Sequence, residues 1–429
     1  MSRIDLRLLA LLATMFSFSI SMGDSRSFEL VNDGRVIARK GPETGSPSVI
    51  RIPNWIAPDD RADPEAKYYL YFVADRRECV YMKWSRTIQG PWHEFTLGGT
   101  YNGHARRGVF DLVTDPLRNG KTDVASVDVC VDSEARQIVM LFRGNSHVVD
   151  NQSGDRVKIK EGLVATSKNG LNFNSFETSG GQDGHGPLTF RSDREGRDVW
   201  IGPGRQRAFR HRGKWYSVSN GGVLASSPNE RGPWTYDPNR PTQMSWHVDA
   251  TPDPIWQDEL ADSEKNYISP LATFLASSEF ALHPNNPSPG SRVGLQQGEA
   301  DSVAVSLISH DQLEVYFGIR NEADDMYNGI YRVVYDLSSN DFQKWQLVRD
   351  EQSNVVFDVV LTPRDVTMAV RSERPEGDPI SFADPISLGD PYLFIDDDSR
   401  RYLFYSYQSE RWGGYEGLGQ ISMVQFTDD

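Results

Sequence analysis

From Lys67 to Asp75 the run KYYLYFVAD carries apolar side chains at both odd and even positions, and 79-CVYMKWS-85 follows after a short charged gap. Alternation of period two with aromatic and β-branched enrichment predicts strands; a run apolar at both parities predicts a strand covered on both faces. The pattern recurs: an apolar strand, a turn with charged or glycine residues, a strand ending in aromatics, then a strand of small and polar residues. The first unit is 47-PSVIRIPNWI-56, 67-KYYLYFVAD-75 and 79-CVYMKWS-85, closed by 90-GPW-92. The second is 126-SVDVCVDSEARQIVMLFRG-144 with 160-KEGLVATSKNGLNF-173, and the third is 205-RQRAFRHRGKWYSVSNGGVLASS-227, closed by 232-GPW-234. The fourth is 301-DSVAVSLISHDQLEVYFGIR-320 with 329-GIYRVVYDLS-338 and Trp345, and the fifth is 389-GDPYLFIDDDSRRYLFYSYQ-408 with 419-GQISMVQF-426.

Units beginning near 47, 126, 205, 301 and 389 predict an all-β chain, a five-bladed β-propeller of four-stranded antiparallel blades. A single unit cannot bury both faces of its sheet, whereas stacked blades can. A β-sandwich is the alternative, but it does not account for two GPW closures after similar strand triplets. Residues 174–200 and 238–297, rich in Gly, Pro, Asp and Ser, read as long insertions on the scaffold, and no amphipathic helical period stands out. Such loops shape binding sites on one face of a rigid frame.

Composition narrows the setting. The 429 residues are 38% hydrophobic, with 10 Trp, 17 Tyr and 20 Phe, ample for a large core. A formal net charge of -15 opposes binding to phosphate backbones, so nucleic acid is not an expected partner. The first residues carry Arg3 and Arg7, an apolar stretch from Leu8 to Phe18, and small residues at Ser19, Ser21 and Gly23. That order reads as a signal peptide over 1–23, leaving residues 24–429 as one propeller domain without a membrane span, secreted or periplasmic. Cys79 and Cys130 read either as one disulfide or as packed thiols, and no cluster with zinc-ligand spacing is present.

Candidate chemistry follows from propeller geometry. The innermost strand of each blade lines the central channel, so polar residues there converge although far apart in sequence. The first strands offer Ser48, Asp128, Arg205 or Arg207, Asp301 and Asp390, and Asp75 and Glu299 stand close to strands of blades one and four. Paired carboxylates of separated pKa are what glycosidic hydrolysis needs, which makes Asp128, Asp301, Asp390, Asp75 and Glu299 the catalytic candidates. Arg76, Arg143, Arg207 and Arg320 could bind substrate, and Trp412 in 409-SERWGGYEG-417, beside Glu410, Tyr415 and Glu416, could stack on a sugar face. Each has a plainer reading: Asp390 as a turn residue before Pro391, Asp128 facing away from the channel, the arginines paired with acids, Trp412 as a loop staple. A calcium ion on the channel floor is left open by the converging carboxylates, without any EF-hand-like loop.

The stretches PSVIRIPNWI, KYYLYFVAD, YMKWSRTIQGPW, ASVDVCVDSEARQIVMLFRG and LGDPYLFIDDDSRRYLFYS resemble five-bladed propeller glycosidases related to glycoside hydrolase family 43 and the arabinanase–levansucrase group. The resemblance runs from about residue 45 to the C-terminus, the two insertions unmatched. It implies an aspartate base or nucleophile on the first strand of blade one, a second aspartate that tunes it, and a glutamate acid from a later blade. Asp128 looks like the blade-two aspartate and Asp390 like an Asp-Pro aspartate of that group. The first-blade position, Asp followed by Pro in the group, reads 46-SPS-48 here. Three functions remain in view: an exported glycoside hydrolase acting on plant or algal polysaccharide, a catalytically silent glycan-binding propeller, and a lyase or other activity on acidic sugars gripped by 205-RQR-207, Arg143 and Arg320.

Overall fold

The computed structural model describes residues 28–31, 36–38, 44–74, 79–101, 104–111, 124–149, 156–173, 185–187, 190–192, 197–199, 207–219, 222, 224–228, 234–235, 269–287, 300–321, 326–366, 385–409 and 420–427. Five small antiparallel sheets stand in a ring, forming a five-bladed β-propeller. The inner strands are Gly45–Arg51, Val124–Asp132, Arg207–His211, Ala300–Ser309 and Pro385–Ile395. Each lies against the inner strand of the next blade, and the fifth returns to the first. The second strands are Tyr68–Ala74, Gln137–Val149, Lys214–Val218, Gln312–Asn321 and Arg401–Ser409, each paired antiparallel with its inner strand.

The tyrosine-rich run explains how the blades stack. All seven residues of Tyr68–Ala74 are buried, and alternate residues leave by opposite faces. Tyr69, Tyr71 and Val73 join Val127, Ile138, Met140 and Phe142 of blade two. Tyr68, Leu70, Phe72 and Ala74 join Tyr402, Phe404 and Met423 of blade five. The remaining clusters fill the other junctions in the same way: Leu141 and Val164 against Ala225, Phe209 and Tyr216 against Phe317 and Trp345, Tyr316 and Ile330 against Leu403 and Tyr405. At about 1.5–3 kcal/mol for each fully buried large side chain, these junctions are the main source of stability.

Four features depart from the sequence expectations or resolve them. Strand Phe28–Leu30 pairs with Gln420–Phe426 and becomes the outer strand of blade five, so the ring closes on strands from both ends of the chain. Helices Pro270–Leu275 and Ser278–Leu282 lie in the segment expected to be loop, each capped by a serine, Ser269 and Ser277. They are short, and Leu271, Phe274 and Phe280 anchor them on the blade three–four core, so tertiary packing rather than periodicity sustains them. Cys79 packs at the junction of blades five and one and Cys130 at that of blades two and three, so they do not bond to each other. Among the described residues no helix is long and apolar enough to cross a membrane.

Candidate functional site

Among the described residues, eight other than glycine have positive φ. Arg136, Arg212, Ser353 and Ser399 are turn residues; the other four are Ser46 (φ 53), Ser126 (φ 58), Ser302 (φ 56) and Asp390 (φ 46). These four occupy one structural position. In each of their blades the inner strand bulges by one residue at that point: Ser46 and Pro47, Ser126 and Val127, Ser302 and Val303, Asp390 and Pro391 each lie between two regular pairs. The second-strand residue at the bulge is an aromatic every time, Phe72, Phe142, Phe317 or Tyr405, and all four are buried. Left-handed backbone at a residue other than glycine costs about 1–3 kcal/mol and tends to collect at functional sites.

Among the described residues Asp390 is the one carboxylate at this position. It is 8% exposed; its Oδ2 accepts the backbone N–H of Ser46 at 3.1 Å and its Oδ1 accepts the hydroxyl of Ser302. Blade five thus presents a carboxylate oriented by blades one and four. Ser126 completes the ring in blade two, its Oγ buried without a partner among the described residues.

Arg207 opens the inner strand of blade three and sits 6% exposed among the other four blades. Its Nε donates to Val303 O at 2.9 Å, its Nη1 to Val127 O and, at 3.4 Å, to Asp128 Oδ1, and its Nη2 to Pro47 O at 3.2 Å. The guanidinium carbon lies 5.0 Å from the ring centre of Tyr392. Asp128 completes the arrangement: Oδ2 accepts the N–H of Ala208 at 2.8 Å, and burial pushes its carboxyl up against the opposing pull of Arg207. Ser48 Oγ accepts the N–H of Val129 at 2.8 Å. Tyr392 donates its hydroxyl to Val49 O at 2.9 Å, and burial pushes its phenol up.

The sequence-derived site is therefore spread over two registers. Ser46, Ser126, Ser302 and Asp390 share one; Ser48, Asp128, Ala304 and Tyr392 stand two residues further on. The blade-one residue that matches Asp390 in both register and φ is Ser46, not Ser48. Asp128 and Asp390 belong to different layers, and Asp128 is spent on Arg207 and Ala208. Arg207, expected as a grip on substrate, holds the protein's own carbonyls. Asp301 stands one residue ahead of Ser302 in its strand, paired with Gly318. Arg143 pairs in blade two opposite Ala125, and Arg320 pairs in blade four opposite Tyr327. Asp75, Arg76, Arg205, Glu299, Glu410, Trp412, Tyr415 and Glu416 lie outside the described residues. Ser126 and Ser302 were not among the sequence candidates and Ser48 stood in for Ser46, although the tripeptides SPS, SVD, SVA and DPY at the bulges of four inner strands, each upstream of an aromatic-rich second strand, carried the signal.

Among the described residues no three metal-binding side chains gather. The axial oxygens of Pro47, Val127, Val303 and Asp128, the donors a calcium ion would need, are all turned toward Arg207. These residues do not fit a calcium ion on the axis.

No protein-family model matches the chain, and no curated protein matches it. Solved structures do resemble it over most of its length. A GH43 β-xylosidase/α-arabinofuranosidase from a compost microbial metagenome is similar with 10% identity and a TM-score of 0.44, covering 94% of this chain and 96% of its own. An α-L-arabinofuranosidase from Lactobacillus brevis is similar with 10% identity and a TM-score of 0.45, covering 93% and 92%. An N-acetylgalactosamine deacetylase from F. plautii is similar with 10% identity and a TM-score of 0.45, covering 94% of each chain.

Proposed function

We propose that the protein is an exported, glycan-acting propeller of glycoside hydrolase type, with its reactive centre at the ring of Ser46, Ser126, Ser302 and Asp390. The observation that carries this is Asp390 itself: a carboxylate in a left-handed bulge, oriented by hydrogen bonds from two other blades. Asp390 accepts a backbone N–H from blade one and a hydroxyl from blade four at a bulge that recurs in four inner strands. In this reading Asp390 supplies the carboxylate that faces the anomeric carbon or its attacking water. Hydrolysis requires a proton donor as well, about 5–10 Å away, and Asp301, Glu299 and Asp75 are the candidates. The sequence resemblance to family 43 propellers supports the same substrate class.

A second reading, glycan binding without turnover, is favoured by Ser46 and Ser126. These stand where blade five has its aspartate, and a ring with one carboxylate suffices for recognition but not for a two-carboxylate reaction.

The test is product release from a panel of plant and algal oligosaccharides by the wild type and by Asp390→Asn, alongside calorimetric binding. Release that Asp390→Asn abolishes, with binding kept, supports the hydrolase. Binding without release selects the second reading, and neither binding nor release overturns both.

A further inference from the structure

We propose that Arg207 is the built-in axial cation of this propeller, a guanidinium occupying the place where converging oxygens would otherwise hold a metal ion. All five blades meet on this one group. Blade three supplies the side chain, blade one the carbonyl of Pro47, blade two the carbonyl of Val127 and the carboxylate of Asp128, blade four the carbonyl of Val303, and blade five the ring face of Tyr392. The three carbonyls come from the second residue of three equivalent bulges. The bulge therefore does two jobs: its first residue faces the candidate site, and its second turns a carbonyl toward the axis.

Carbonyl dipoles aimed inward from several blades make a negative well that needs a positive occupant. A planar guanidinium with five N–H donors spread over three nitrogens serves all four of these oxygens, whereas an ammonium has three donors on one nitrogen. The aromatic face of Tyr392 accepts the cation on its remaining side. Asp128 neutralises the buried charge, and removing one member of such a pair leaves the other uncompensated.

The same contacts reach the candidate site. Pro47 and Val303 directly follow Ser46 and Ser302, the two residues that hold the Asp390 carboxylate. Arg207 is thus a positioning residue for Asp390, acting through the Ser46–Pro47 and Ser302–Val303 backbone. This half of the inference concerns the ring proposed above as the functional centre, but its test does not depend on glycan activity.

The experiment is chemical rescue. The purified protein carrying Arg207→Ala is melted with and without millimolar methylguanidinium, against matched sodium chloride, with the wild type in parallel. Expected is a Tm at least about 5 °C below wild type, at least half recovered by methylguanidinium, while the additive does not raise the wild type. Arg207→Met, similar in length but uncharged, stays low, and Arg207→Lys recovers less than half of the loss. Hydrogen exchange reads the positioning half: the Ser46 amide exchanges slowly in the wild type, at least about tenfold faster in Arg207→Ala, and slowly again with the additive. If Arg207→Ala does not fold, Arg207→Met and Arg207→Lys carry the comparison. A Met variant as stable as wild type, or an additive that fails to raise Arg207→Ala, overturns the axial-cation assignment. Stability rescue with the Ser46 amide unchanged throughout overturns the positioning half.

Discussion

Ser46 and Asp390, 344 residues apart in the chain, are joined by a 3.1 Å bond from the Ser46 N–H to the Asp390 carboxylate. The bond ties the first blade to the last at the inner end of the ring, while Phe28–Leu30 ties the two chain ends at its outer edge. The carboxylate at the candidate centre is therefore also a part of ring closure.

Asp390 should separate function from stability. Asp390→Asn keeps the shape and one acceptor oxygen, so its cost in denaturant unfolding should be about 1 kcal/mol. Its product release should fall at least about 100-fold, the usual scale for losing a carboxylate that acts on the reacting atoms. Ser302→Ala removes one holder of the same carboxylate and should give an intermediate loss. Steady-state rates and unfolding midpoints measured on the same preparations check both.

Asp128 should behave in the opposite way. Asp128→Ala strands the Arg207 guanidinium in a buried place and should cost about 3–5 kcal/mol. Adding Arg207→Met to that variant removes the stranded charge, so the double variant should lose clearly less than the sum of the singles. A double-mutant cycle by chemical denaturation measures this coupling.

Two histidines should set a pH dependence. His211 is buried beside Trp345, Tyr216, His310 and Arg212, and burial first, then Arg212 and His310, holds its pKa below the usual histidine value; Asp311 opposes. His283 packs against Phe274 and Phe357 and is likewise lowered by burial, against Glu279, Asp358 and Asp350. The folded protein refuses a proton that the unfolded chain accepts. Their contribution is thus fully present above the unfolded value of about 6.5 and is lost as pH falls from there toward the lower folded values. Thermal melts should show Tm falling through that window, and His211→Gln with His283→Gln should flatten it.

The N-terminal strand should be essential to the ring. Phe28, Glu29 and Leu30 pair with Phe426, Gln425 and Val424, and Leu30 is buried in the blade four–five core. A chain beginning after residue 31 should unfold at lower temperature and aggregate, because Gln420–Phe426 becomes an exposed edge. Glu29→Lys, which leaves the backbone pairing intact, should melt close to wild type. Melting curves and light scattering distinguish the two.

Blade starts near 47, 126, 205, 301 and 389 were legible because alternation and hairpin turns are local, and each inner strand begins within a few residues of those positions. The aromatic run Tyr68–Ala74 announced burial on both faces, which only neighbouring sheets can provide. The closing strand Phe28–Leu30 left no such trace: three residues carry no period, and their partner lies at the far end of the chain. The helices within 270–282 were hidden for a similar reason, since a turn or two of helix held by Leu271 and Phe274 has no periodicity to read.

The pattern of side chains by itself determined the number of blades, the identity of their strands and the convergence of inner-strand residues on one axis. Which of those residues meet was decided only in three dimensions. A bulge shifts one strand by one residue against its neighbour, and the hydrophobic alternation around it reads the same wherever it falls. Thus Ser46 rather than Ser48 is the counterpart of Asp390, Asp128 turns to Arg207, and an arginine that could have faced solvent lies among four other blades. Strand identity is written in neighbours along the chain, but axial contacts are written in pairings between residues about 80 to 344 positions apart.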